Sequence, residues 1–180
     1  ASMSNKPSFF RQFTNQAEVS APGLALQSNG RILVSGWQDT GVKSMVLLRL
    51  LSTGALDTSF NPTGLREPGI AQFYGILQSA GSRCAVLADG RIVVTGSWLA
   101  SDYDMIAWCY TRDGEEDTSF SSPVGKNYTV NQYTEAGGTE DWESGRDIVV
   151  FPKDTTCVAI CGDRYNATTK EDMVVWVWDF

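Results

Sequence analysis

An aromatic ring beside a carboxylate suits a sugar or peptide, because the ring stacks on an apolar face while the acid accepts hydrogen bonds. This chain carries that pairing three times, each just after a glycine. Trp37 and Asp39 follow Gly36; Trp98, Asp102, Tyr103 and Asp104 follow Gly96; Asp163, Arg164 and Tyr165 follow Gly162. These nine positions read as loops that would crowd one face, and the competing reading is solvated loops with tryptophan packed between sheets. Ser101-Asp102-Tyr103-Asp104 offers oxygens to calcium but lacks the further acids and the glycine of a dedicated calcium loop. Asp104 and Asp172 each precede a Met-led strand, which favours a turn role. Glu135, Glu140, Asp141 and Glu143 read as a solvated acidic loop and not as a catalytic carboxylate pair.

Other chemistry is scarce. The chain has no histidine, which removes the commonest general base, the usual Ser–His and Cys–His pairs and most transition-metal sites. A hydrolase or lyase here would have to work with carboxylates, so the reading is non-enzymatic, with no catalytic residue, metal or cofactor. Cys157 and Cys161 share a strand face but sit ~13 Å apart, too far for a disulfide. Together with Cys84 and Cys109 they read as buried free thiols. The net charge is −7 without a lysine or arginine cluster, which argues against nucleic acid. Apolar runs such as Met45 to Leu51 and Met173 to Trp178 are strand-sized, so no membrane span is expected. The start, Ala1-Ser2-Met3-Ser4, has no signal-peptide pattern and reads as an expression remnant or a processed terminus.

The elements that would position these side chains repeat. Gly30-Arg31-Ile32-Leu33-Val34-Ser35-Gly36 returns as Gly90-Arg91-Ile92-Val93-Val94-Thr95-Gly96, Met45 to Leu48 as Met105 to Trp108, and Asp57-Thr58-Ser59-Phe60 as Asp117-Thr118-Ser119-Phe120. One register holds throughout, so the segment is a duplication. A diverged third copy places Cys157 to Gly162 and Met173 to Trp178 at the two strand positions. Asn29-Gly30 and Asp89-Gly90 mark hairpins of type I′, and Asp-Thr-Ser closes an Asx turn that aims the following Phe at a seam between sheets. Each unit reads as four strands, with Gly69 to Leu77 and Lys126 to Tyr133 outermost. The expected fold is all-β: about three blades of four antiparallel strands, the units running 21–80, 81–144 and 145–180 within one domain over 1–180.

Gln27 to Gly36 with Gly54 to Phe60, and Asp89 to Gly96 with Asp113 to Phe120, resemble the delta-60 β-propeller repeat family. The third unit departs from it, with Pro152-Lys153-Asp154 in place of the tight turn. The resemblance implies a propeller of unknown ligand, at a cell surface or secreted, and carries over no catalytic residue.

The third unit ends after its third strand, and residues 8–16, including Phe9, Phe10 and Phe13, sit in the phase of the strand it lacks. Three blades are too few for an ordinary closed propeller. The expectation is a homodimer in which the N-terminal strand of one chain completes the last blade of the other, making six blades, with Trp176 and Trp178 also counted toward self-association. Donation that fails to close would give a head-to-tail fibre. Another propeller-blade chain as partner, a compact monomer, and a lectin-like surface that uses Trp37, Trp98 and their acidic neighbours are the other readings.

Overall fold

The computed structural model describes residues 18–64, 67–73, 77–99, 102–119, 128–131, 142–151, 157–166 and 170–179. The N-terminal strand expected over 8–16, with Phe9, Phe10 and Phe13, lies outside these residues, as do Glu135, Glu140 and Asp141. Among the described residues there are eleven strands and no helix.

The first sheet is a meander of β1 (Glu18–Leu26), β2 (Ile32–Asp39), β3 (Lys43–Leu50) and β4 (Ile70–Phe73). The second repeats it with β5 (Ser79–Val86), β6 (Ile92–Leu99), β7 (Tyr103–Tyr110) and β8 (Tyr128–Asn131). The third holds β9 (Trp142–Val150), β10 (Cys157–Asn166) and β11 (Lys170–Asp179), and among the described residues nothing pairs with the outer edge of β11. All pairing is antiparallel. The sheets stack in chain order, with β5 against β1 on one side and β9 on the other.

The turns differ from the expected type. Gly30 and Gly90 have φ of 78° and 94°, but Asn29 and Asp89 are not in the left-handed region. Gly30 N–H donates to Gln27 O, and Gln27 N–H to Arg31 O, each at 2.9 Å; Leu87, Gly90 and Arg91 do the same. The loop is therefore a tight turn closed by one left-handed glycine, the three-residue hairpin, so only the glycine needs positive φ. Leu51 to Ala55 and Thr111 to Glu115 repeat that bonding after the third strand of each sheet.

Gly36, Gly96 and Gly162 end no strand. They sit within β2, β6 and β10, and each is fixed by space: an added Cβ would stand 1.9 Å from Ser20 O, 2.0 Å from Ala80 O and 2.0 Å from Ser144 O respectively. Opposite each glycine the innermost strand carries an extra residue, with register shifts at Ser20/Gly23, at Gly81/Arg83 and beside Gly162. Such a bulge bends the strand toward its partner, and only a residue without a side chain accepts the carbonyl it pushes across. The strands therefore run on past the glycines, and Trp37, Asp39, Trp98, Asp163, Arg164 and Tyr165 belong to strand ends, not to loops. The reading of Glu143 as a loop carboxylate is likewise corrected, because it lies in β9 at 2% exposure, its Oε1 3.7 Å from Arg164 Nε.

Candidate functional site

Alternation gives every sheet two apolar faces, and the repeat makes the faces of successive sheets equivalent. Leu33, Met45 and Leu47 of the first sheet pack on Cys84, Ile92, Val94, Ile106, Trp108 and Tyr110 of the second. Val93, Met105 and Ala107, the counterparts of the first three, pack on Val158 and Ile160 of the third, with Trp176 and Trp178 against them. The two seams join the same kind of face to the same kind of face. Phe73, Trp108, Tyr128 and Trp98 add an aromatic run to the first seam, with ring centroids 5.3–5.9 Å apart.

A polar latch fastens that first seam. Asp57 accepts Ser59 N–H at 3.1 Å and Ser59 Oγ–H at 2.6 Å, the expected Asx turn, and Phe60 is fully buried under Gly114. Arg49, 1% exposed near the end of β3, donates from Nε to Asp57 Oδ2 at 2.8 Å, from Nη2 to Ser59 Oγ at 3.0 Å, and from Nη1 to Arg112 O at 3.0 Å and Asp113 Oδ1 at 3.1 Å. Its guanidinium also lies over the Phe60 ring, 4.8 Å from the centroid. Arg112 and Asp113 belong to the second sheet, so one buried cation ties two sheets. The second sheet has Cys109 where the first has Arg49 and Leu87 where it has Gln27, and its seam with the third sheet is apolar at those positions.

Burial alone would raise the Asp57 pKa, but hydrogen bonds from Ser59 and Arg31 and the Arg49 charge outweigh it and hold the carboxyl at about 2. A carboxylate whose pKa is lower in the folded chain stabilises fully above its unfolded value near 4, and loses that contribution as pH falls toward 2. The stake is about 2 kcal/mol. Urea midpoints of the parent chain and Asp57→Asn, measured from pH 6 to pH 2, should converge as the pH falls; parallel curves would show that Asp57 keeps its unfolded pKa.

Two faces of these three sheets remain open. On the third sheet Met173, Val175 and Val177 stand 88%, 64% and 59% exposed, at the positions that Met105, Ala107 and Cys109 fill in a buried seam. On the first sheet Leu24 and Leu26 are 69% and 70% exposed, at the positions of the seam-facing Cys84 and Val86. Trp176 and Trp178 point the other way, into the second seam, so the apolar side chains that β11 leaves uncovered are Met173, Val175 and Val177.

The aromatic and acidic side chains singled out above do not converge on one place. Lys43 Nζ lies 4.2 Å from the Trp37 ring, Trp98 is in the first seam, and Tyr103 Oη–H donates to Gln78 Oε1 at 3.2 Å. Asp163 holds Arg146 through two oxygens, and Tyr165 stacks on Trp142 at 6.0 Å. Asp39 caps a turn through Gly41 N–H at 2.9 Å, while Asp102 is exposed and Asp104 half-buried. Among the described residues no three metal-binding side chains come together. Cys84 and Cys109 are buried and free, and burial pushes their thiols up to about 11 and about 12, so neither is a nucleophile at neutral pH. Cys161 is exposed on the open face of the third sheet, against the expectation of a buried thiol.

The sequence reading passed over Arg49. Its signal was a lone cation inside the apolar run Met45 to Leu50, a position that buries a charge only with a partner.

Antiparallel meanders stacked face to face, with their first strands side by side, are β-propeller blades, and this chain is built of three of them. A family model described as "Domain of unknown function (DUF5122) beta-propeller" matches residues 27–60 and 87–120, the first two turn-strand-strand-latch segments. No curated protein matches the chain. No helix among the described residues is long and apolar enough to cross a membrane.

Proposed function

We propose that the chain is a non-enzymatic assembly module, a member of the delta-60 type of propeller repeat, whose working form is two copies closed into a six-bladed ring. The open face of the third blade packs on the open face of the first blade of the other copy. What supports the reading above all is that these faces are the counterparts of the pair already joined in both internal seams. A face carrying Val175 and Met173 has the chemistry to meet one carrying Leu24 and Leu26, because Ala107 and Met105 already meet such a face in the second seam. The outer edge of β11, beside which β3 and β7 each hold a fourth strand, takes residues 8–16 of the partner copy. A two-fold axis down the centre of the ring makes both joints identical and leaves no free face.

Sedimentation velocity across a hundredfold range of concentration tests this. The parent chain should sediment as two chains. Val175→Glu puts a charge in the joint while remaining solvated in a single chain; it should weaken association at least ~100-fold and leave one folded chain. A parent chain of single mass throughout would sink the proposal, and mass growing without limit would replace the closed ring by a fibre.

A further inference from the structure

The three bulges do more than bend the blades. They face one open cavity of about 430 Å³ between the innermost strands, at the end where β2, β6 and β10 run past their glycines. That is the size of a small-molecule site. Its wall includes Arg83 and Arg146, the hydroxyl residues Ser82, Ser97 and Ser144, and the indole of Trp37, and no carboxylate lines it. The carboxylates nearest these guanidinium groups, Asp163 on Arg146 and Asp147 near Arg83, lie outside the wall, so the wall itself is basic in a chain of net charge −7.

The bulge is the reason these groups meet. Ser82 falls between Gly81 and Arg83 without a partner in the register, and Arg146 falls between Gly145 and Asp147 in the same way. Extra residues of this kind re-aim side chains that a regular ladder would turn into the neighbouring sheet. Arg146 is held in place by Asp163, one of its two bonds being 2.9 Å long. Arg83 has a looser contact, 3.9 Å from Nε to Asp147 Oδ1, which is beyond hydrogen-bonding distance, and it is 41% exposed. Its planar fork of donors is thus open to a ligand with two oxygens, and hydroxyl groups beside it supply the further donors that an oxyanion needs.

We propose that this axial cavity binds a small oxyanion, a carboxylate, sulfate or phosphate group, with Arg83 as the bidentate donor, Arg146, held by Asp163, as a second guanidinium on the wall, and the serine hydroxyls completing the shell. The site belongs to one chain's three innermost strands and does not depend on assembly. Calorimetric titration with sulfate, phosphate and citrate, at constant ionic strength made up with chloride, provides the test. At least one anion should bind saturably at one site per chain, Arg83→Gln should weaken it at least ~10-fold with an unchanged melting temperature, and Arg83→Lys should recover only part. Binding should persist in Val175→Glu, so failure of the ring and failure of the site are read separately. No saturable heat with any of the three anions, equal affinity in Arg83→Gln, or loss of binding in Val175→Glu would overturn the assignment.

Discussion

Arg49→Ala should cost the fold about 3–5 kcal/mol, the loss expected when one partner of a buried ion pair is removed. The substitution leaves the Asp57 carboxylate, 5% exposed, with Arg31 as its remaining cation, and leaves the Arg112 carbonyl without the Nη1 donor that crosses the seam. It also empties the space over the Phe60 ring. The two blades then keep their apolar contact and the hydrogen bonds that do not involve Arg49, such as Gln27 Nε2–H to Arg112 O at 3.0 Å and Asn61 N–H to Asp113 O at 2.7 Å. Urea unfolding followed by tryptophan fluorescence measures the loss. Because both residues serve one network, Arg49→Ala combined with Asp57→Asn should cost less than the sum of the single changes. A loss below about 1 kcal/mol for Arg49→Ala would mean that the latch is ornamental and the first seam is held as the second is.

Gly96→Ala should cost about 3 kcal/mol, the upper end for a single methyl forced into a filled space. The new carbon would stand 2.0 Å from Ala80 O, 2.9 Å from Ala80 C and 3.0 Å from Gly81 Cα, all backbone of the neighbouring strand. No rotamer change relieves that contact, so β5 must move off β6, and β5 touches both flanking blades. Gly30→Ala is the control. Its φ of 78° disfavours a side chain, yet nothing lies within 4 Å of the added carbon, so it should cost only about 1–2 kcal/mol. Equal losses at the two positions would show that backbone conformation, and not close approach, is what both glycines supply.

The contrast between those glycines shows how far residues can be read without coordinates. Both recur in register, so both were visible as features of the repeat. Gly30 announces its turn because the reason is local: one residue must take positive φ to reverse the chain. Gly96 looked like the end of a strand because its reason is a carbonyl sixteen residues earlier, brought across by a bulge that leaves no mark in the local pattern. The same error turned Trp37, Trp98 and Asp163 into loop residues. Glu143 was misplaced for a related reason, since an acid next to other acids looks solvated until the half-buried Arg164 is found beside it.

Composition and period alone determined that the chain is β, that its unit spans about sixty residues, that Asp57 and Asp117 close Asx turns, and that Phe60 is aimed into a seam. Those properties follow from torsions, turn chemistry and alternation, all of which act within a few residues. Only the stacked blades decided that Arg49 is a buried fastener, that Trp176 and Trp178 fill an internal seam while Met173 and Val175 face outward, and that Arg83 and Arg146 share a cavity. Each of these joins residues far apart in the chain, and which face of a strand meets a neighbour is set by register and bulges across sheets, where the order of residues along one strand carries no information.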